Sequence, residues 1–470
     1  MALSLDADRG FLRVERTARS IEHLSSRIEQ WVQLRRTDAR FARFVVHLDL
    51  LRAVLQRMLE VLADHLRART AGLDDPQAYP CCRTVDAGVV HVQRTFEWYA
   101  QKYDQRLDDR LAPVLQAADE VVRSCWAEPF VLTRQPPPPG PLAYLDARFD
   151  AMATPRVSPP PDLRAPADSV VAECVQQLPI PTIALPATAV DEPWWLVLAA
   201  HETGHHVQRD LADGLVAGSR AAVAVAAGDL ADDWSAWSLE VFADAWSVLM
   251  VGPHAAWAVQ ELQHGPPDAL VVVPAPGDRY PPPAVRWALL GELARSAGVA
   301  GPGCDGAEQV RGWVDGLPAA AVHPKARAAV QQQLAVVPAV AAALVGLTIG
   351  ERTLGQVSGL RPQWFGAGGR TDLWSGQLAA VAPVLSPLKE RPAARIAVSA
   401  GVRAAATCAD PATRAVVAHN LLGVLPSCGG PGTLAATSVV DVSGLADDLA
   451  GRLLEAATRG GPDPGPDSAP

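Results

Sequence analysis

Two histidines and a glutamate occur in the segment AAHETGHHVQRD, directly after the apolar run PWWLVL. His201 and His205 are four residues apart, so both imidazoles lie on one face of a helix, about one turn from each other. Two imidazoles at this spacing can hold one Zn²⁺ ion. Glu202 lies about 100° further round the helix, where its carboxylate reaches a zinc-activated water rather than the metal. The pattern therefore predicts a metal site, with Glu202 as a general base.

A third ligand is expected from the next helix, in the segment DDWSAWSLEVFADAWSVLMVGP. Glu240 and Asp244 are four residues apart and share one helical face. We predict that Glu240 is the third zinc ligand and that Asp244 accepts a hydrogen bond from a ligand imidazole, which fixes its tautomer. The alternative is a solvent-facing pair of acidic side chains that repel each other mildly. Three protein ligands leave a position for water, which is typical of catalytic zinc.

The order of these residues resembles a known family. H-E-x-x-H, followed by E-x-x-A-D from Glu240 to Asp244, is similar to the gluzincin metallopeptidases, above all to the M48-type group of CAAX prenyl proteases and HtpX-like enzymes. The resemblance covers residues 178–295. It implies a zincin-type α+β metallopeptidase core that binds Zn²⁺ and hydrolyses peptide bonds of a protein substrate, with Glu202 as the general base.

A later element of that family, H-P-P-x-x-x-R, has a variant counterpart in the segment RYPPPAVRW. Tyr280 stands where the family has histidine, and Arg286 stands at the position of the arginine. By this resemblance both are candidate catalytic residues. A tyrosine hydroxyl can donate a hydrogen bond to the oxyanion of a tetrahedral intermediate. The alternative is that this segment is only a structural turn.

The elements that must position these residues are mostly helical. Before residue 130, apolar residues recur at spacings of three and four, which predicts long amphipathic helices in a bundle or coiled-coil arm. The stripes are Phe11, Val14, Ala18, Ile21 and Ile28; Phe41, Phe44, Leu48, Leu51, Leu55, Met58 and Leu62; and Val89, Val92, Phe96, Tyr99 and Tyr103. We expect this region to be a docking module for a protein partner.

The whole chain is predicted to be mainly α with a small β-sheet. The short segment IPTIALP, 180–186, reads as an edge strand because prolines near its ends cannot donate to a ladder, and such an edge can pair with an extended peptide. The helix containing His201 is expected to begin at Asp191 as its cap. The expected parts are a helical docking module (1–130), a proline-rich linker (131–165), the zincin core (166–316), a helical C-terminal region (317–458) and a disordered tail (459–470).

Composition limits the classes of partner. The formal net charge of −10 disfavours nucleic acid, because phosphates bind clustered Lys and Arg. The longest apolar run, Leu334–Ile349, falls short of the roughly 18 residues of a membrane span, and the first residues do not resemble a secretory signal. Seven cysteines without a C-x-x-C pair favour free thiols. We therefore expect a cytoplasmic protein.

The same residues are compatible with two other functions. One is a catalytically degenerate gluzincin fold that serves as an interaction or scaffold module through its N-terminal helices. The other is a non-catalytic interaction protein whose zinc is structural, so that chelation unfolds the chain without affecting any bond cleavage.

Overall fold

The computed structural model of the chain describes residues 4–71, 75–147, 152–154, 163, 165, 168–299, 301, 304–380, 392–428 and 441–458. Contacts divide it into two compact units. The first comprises Met1–Asp104, Thr154–Pro181 and Thr433–Pro470, and the second comprises Gln105–Ala153 and Thr182–Gly432.

Most of the described chain is helical and the strands are few and short, as the mainly α prediction requires. The helices are α1 (Ser4–Arg36), α2 (Val45–Thr70), α3 (Asp75–Asp104), α4 (Ala112–Thr133), α5 (Ser169–Gln177), α6 (Ala199–Asp210), α7 (Leu215–Ala227), α8 (Ala231–Val251), α9 (His254–Gln263), α10 (Pro267–Leu270), α11 (Pro283–Ser296), α12 (Ala307–Gly316), α13 (Pro324–Val345), α14 (Leu354–Val357), α15 (Arg370–Leu378), α16 (Ala393–Thr407), α17 (Pro411–Val424) and α18 (Val442–Thr458). The strands are β1 (Leu142–Asp146), β2 (Met152–Thr154), β3 (Thr182–Pro186), β4 (Thr348–Ile349) and β5 (Arg352–Thr353).

The first unit is a bundle of long helices. Helices α1, α2 and α3 pack against one another, and α18 packs on α2 and α3. The predicted stripes from Phe41 to Leu62 and from Val89 to Tyr103 are buried, because they line the seams between these helices. In the first stripe, Phe11 is exposed and full burial begins only at Ile21, so that part of the prediction was wrong.

The second unit contains the sheet. Strands β1 and β3 pair in parallel, from Leu142 opposite Thr182 to Asp146 opposite Pro186, and the strand order is β1-β3-β2. The edge-strand prediction for residues 180–186 was therefore wrong, since β3 is the central strand. Its prolines lie only at the ends, so the interior residues keep the N–H groups that a ladder needs. Within the described sheet, β3 has no free edge for a peptide.

The segment before α6 is a 3₁₀ helix, Pro193–Leu198, whose six side chains are all buried. It packs against α16. The α-helix proper begins at Ala199, eight residues after the cap that was expected at Asp191. Helix α6 then packs along α8 and also contacts α4, while α7 covers another part of α8.

This division by contacts does not follow the expected domain boundaries. Helix α4, which precedes the proline-rich connector, belongs to the second unit, whereas α5 and α18 belong to the first. The domain boundaries expected from the sequence describe parts that would fold independently, whereas the two units describe contacts in the folded chain. The expected boundaries therefore stay a prediction.

One described helix, α13, is long and apolar enough to cross a membrane by length and composition, and less than half of its most apolar stretch is buried. The segments Pro193–Asp210 and Leu215–Val251 meet the same criterion together, as a bent pair. Core helices of soluble proteins meet it too. In the structure, α13 packs against α7, α11 and α12. The expected absence of a membrane span stays a prediction.

All seven cysteines are free thiols, as the sequence predicted. Burial raises the pKa of Cys125, Cys174 and Cys428 to about 12. These three thiols therefore remain protonated near neutral pH and are poor nucleophiles.

Candidate metal centre

The candidate site forms where α6 lies close against α8, and Gly204 permits this approach. A Cβ atom at Gly204 would lie 2.9 Å from the Cα of Ala243 and 3.0 Å from the Cβ of Trp246. Side-chain carbons do not normally come this close, so only glycine lets the two backbones approach as they do. The facing surfaces of the helices are those that present His201 on α6 and Glu240 on α8.

Three side chains converge between these helices. The Nε2 atoms of His201 and His205 each lie 3.4 Å from Oε2 of Glu240. One ligand atom from each residue falls within 4.8 Å of the other two, so this group can hold a metal ion. Ligand atoms about 2.0–2.1 Å from a tetrahedral Zn²⁺ lie roughly 3.4 Å from one another, which matches the two separations to Glu240.

The glutamate has one oxygen without a donor. Glu240 is only 2 % exposed, and among the described residues its Oε2 receives no hydrogen bond. Its distance to the two imidazoles is longer than an ordinary N–H···O bond. A buried carboxylate oxygen without a donor is costly unless a cation compensates it. The donor set of two imidazole nitrogens and one carboxylate oxygen therefore fits a metal ion.

Asp244 lies behind the first imidazole, and its role as acceptor of a hydrogen bond from that ring stays a prediction. Its Oδ1 is 2.9 Å from Nδ1 of His201, and Arg286 donates to both of its oxygens at 2.7 Å. Burial would raise the pKa of Asp244, but Arg286 and His201 outweigh it and hold the pKa at about 2. The carboxylate therefore remains ionised and can orient the imidazole.

The carboxylates also act on the histidine itself. Burial would lower the pKa of His201, but Asp244 and Glu240 raise it to about 10. Burial would raise the pKa of Glu240, and His201 and His205 instead hold it far below its usual range. The two carboxylates thus favour a positive charge next to the imidazoles. A dication bound there would compete with the protons of the histidines.

The predicted general base lies in the same place. Glu202 is 5 % exposed on α6, and its negative charge raises the pKa of His201, Arg279 and Tyr280. An electrostatic effect on all three indicates that its charge lies near the ligand group. Its role as a base stays a prediction.

The residues expected from the R-Y-P-P-P segment lie next to the carboxylates of α8. Arg286 is buried on α11, and its guanidinium is engaged by Asp244. Tyr280 is 40 % exposed, and its ring lies 4.8 Å from the guanidinium carbon of Arg286. Burial, together with the charges of Glu240 and Glu202, raises the pKa of Tyr280, so its hydroxyl keeps its proton. A direct catalytic role for either residue stays a prediction.

Sequence reasoning missed one residue of the site. Arg279 donates from Nη2 to Oε1 of Glu240 at 2.7 Å. Its only sequence signal is its position directly before Tyr280 in the family-like segment.

Other histidines near the site do not join the group. His206 is buried with its Nε2 3.2 Å from the carbonyl oxygen of Thr182, so it connects α6 to β3. His254 is buried and contacts the carbonyl of Val251, and His264 is exposed. Within the described residues, the candidate ligand set is therefore His201, His205 and Glu240.

Comparison of the chain with protein-family models, with curated proteins and with solved structures finds no match.

Proposed function

We propose that this chain is a zinc-dependent endopeptidase with a zincin-type core of the gluzincin kind, acting on protein substrates in the cytoplasm. One observation supports this above all: Oε2 of Glu240 lies 3.4 Å from Nε2 of both His201 and His205. Imidazole nitrogens with one carboxylate oxygen suit Zn²⁺, and three protein ligands are typical of a catalytic site.

A bound zinc ion supplies Lewis acidity, which lowers the pKa of water towards 7 and polarises a carbonyl group. Glu202 takes one proton from the water as the water oxygen attacks the carbonyl carbon of the scissile bond. Glu202 then returns this proton to the nitrogen as the C–N bond breaks, which gives a carboxylic acid and an amine. The second proton of the water passes from the acid to the amine, so the final products are a carboxylate and an ammonium group. One glutamate can serve both steps because it acts as base first and as acid second.

The remaining residues support these steps. Tyr280 keeps its hydroxyl proton and is a candidate donor to the oxyanion that develops on the carbonyl. Arg286 is bound to Asp244, so we assign it a positioning role through Asp244 and His201 rather than a direct contact with substrate. The resemblance of the two motifs to M48-type enzymes supports the same assignment.

Glu202→Gln is the decisive variant, because it removes the base and keeps the three ligands. We expect one zinc per chain in both forms by mass spectrometry. New protein N-termini should appear only in cells that express the native chain. Glu261→Gln, on the exposed side of α9, is the matched control and should behave as native.

If native and Glu202→Gln chains give the same N-termini, the endopeptidase proposal fails. A chain that still binds zinc would then be the degenerate scaffold or the structural-zinc protein.

A further inference from the structure

The two oxygens of Glu240 have different surroundings. Oε2 faces the imidazoles of His201 and His205, whereas Oε1 accepts a hydrogen bond from Nη2 of Arg279 at 2.7 Å. The glutamate is 2 % exposed, but the arginine side chain is 61 % exposed. The arginine thus reaches in from the surface to hold the outer oxygen of a buried ligand.

We propose that Arg279 is a positioning residue for the metal, which fixes Glu240 so that only Oε2 faces the ion. This inference rests on the proposed metal site. Without Arg279, the carboxylate can rotate, offer both oxygens or swing out of the line of the imidazoles. Outer hydrogen bonds to metal ligands typically change metal affinity about 10- to 100-fold.

A second effect of Arg279 has the opposite sign. Its positive charge repels a dication, and removal of the charge would then tighten binding. This repulsion is weakened because the guanidinium is largely exposed to water and already paired with Glu240. Solvent does not weaken the effect of Arg279 on the orientation of Glu240 in the same way, because the Glu240 carboxylate is buried. We therefore expect orientation to dominate.

Asp244 offers an internal parallel. It too is a buried carboxylate on α8, and it too is held by an arginine from the segment that follows α10, namely Arg286. Arg279 and Arg286 thus each hold one carboxylate, the first a predicted ligand and the second the acceptor behind a ligand imidazole.

The test measures metal affinity in the full-length chain. Zn²⁺ is titrated at neutral pH in competition with a chromophoric chelator, and the absorption bands of the Co²⁺-loaded chain report ligand geometry. We expect Arg279→Ala to weaken Zn²⁺ binding about 10- to 100-fold and to alter the Co²⁺ bands. Arg279→Lys should recover most of the affinity, because a single N–H···O bond is all that Glu240 requires.

Arg295→Ala is the matched control. Arg295 is also half exposed, and it also donates to a nearly buried glutamate, Glu292, at 2.6 Å in the same unit. The Arg295→Ala variant removes one positive charge, as Arg279→Ala does, but leaves the contacts of Glu240 unchanged. Its Zn²⁺ affinity should therefore remain native.

Three outcomes would overturn the inference: unchanged or tighter Zn²⁺ binding by Arg279→Ala, equal weakening by Arg295→Ala, or no recovery with Arg279→Lys. If circular dichroism shows that Arg279→Ala does not fold, the Zn²⁺ affinities of Arg279→Gln and Arg279→Lys are compared instead. Weaker binding by Arg279→Gln alone would support the inference, and equal binding by both variants would overturn it. A native chain that binds no Zn²⁺ would remove the proposed function as well, whereas a native chain that binds Zn²⁺ with an indifferent Arg279→Ala removes this inference alone.

Discussion

Arg286 donates two hydrogen bonds to Asp244, from Nε to Oδ2 and from Nη2 to Oδ1, both at 2.7 Å. The same Oδ1 lies 2.9 Å from Nδ1 of His201. Three helices, α11, α8 and α6, are thus linked through one buried carboxylate. Arg286 thus fixes the carboxylate that lies next to the first imidazole, and a carboxylate in this position can orient a ligand histidine.

Loss of Arg286 should destabilise the fold. Arg286→Met leaves Asp244 ionised and buried without its main partner, which typically costs about 3–5 kcal/mol. Urea unfolding followed by circular dichroism measures this loss. Arg67→Met, which breaks an exposed pair with Asp64 on α2, should cost less than about 1 kcal/mol. Adding Asp244→Leu to Arg286→Met removes the stranded charge and should recover most of the stability; an equally unstable double variant would contradict this account.

Glu240→Gln should abolish stable metal binding. The amide oxygen carries no charge, so it is a much weaker ligand for Zn²⁺ than a carboxylate. After dialysis, we expect metal analysis to find close to one zinc per native chain and close to none in the variant. The control Glu261→Gln should retain zinc. Equal zinc content in the native and Glu240→Gln chains would place the metal elsewhere.

Metal removal should give a matching thermal signature. A ligand at about 1,000 times its dissociation constant stabilises the native state by about 4 kcal/mol. A chelator should therefore lower the midpoint of thermal unfolding of the native chain and leave that of Glu240→Gln unchanged. A drop of the same size in both chains would mean that the chelator acts through another site.

Two glycine-to-alanine changes should shift stability in opposite directions. At Gly204, an added methyl group meets the backbone of Ala243 on α8, and overpacking of this kind costs about 1–3 kcal/mol. At Gly218 on α7, no atom lies within 4 Å of the new Cβ, so alanine should stabilise the helix by about 1 kcal/mol. Denaturant unfolding of both variants tests this. A stabilised Gly204→Ala would show that α6 and α8 are not in close contact.

Acid should destabilise the chain partly through His254. Burial lowers the pKa of His254 to about 4 in the folded chain, below the usual value of about 6.5. Between these two pH values the unfolded chain binds a proton that the folded chain refuses, so stability is complete above pH 6.5 and falls as pH drops towards 4. The loss approaches about 3 kcal/mol.

The measurement is unfolding free energy against pH for the native chain and for His254→Gln, which has no titrating group at this position. The difference between the two curves should be flat above pH 6.5 and should change steadily below it. Parallel curves down to pH 4 would show that His254 is not buried in its neutral form.

The sequence alone determined the local parts of the site. The spacing of His201 and His205 and that of Glu240 and Asp244 put each pair on one face of a helix, because an α-helix repeats every 3.6 residues whatever surrounds it. The apolar stripes of the first unit followed from this periodicity as well.

Tertiary structure decided what depends on partners distant in the chain. It made β3 central, brought α18 into the first bundle, and turned Arg279 and Arg286 towards two carboxylates on α8. No local period encodes these choices. They depend on which surfaces bury one another and which buried charges find partners, and those free energies arise only when segments 35 to several hundred residues apart pack together.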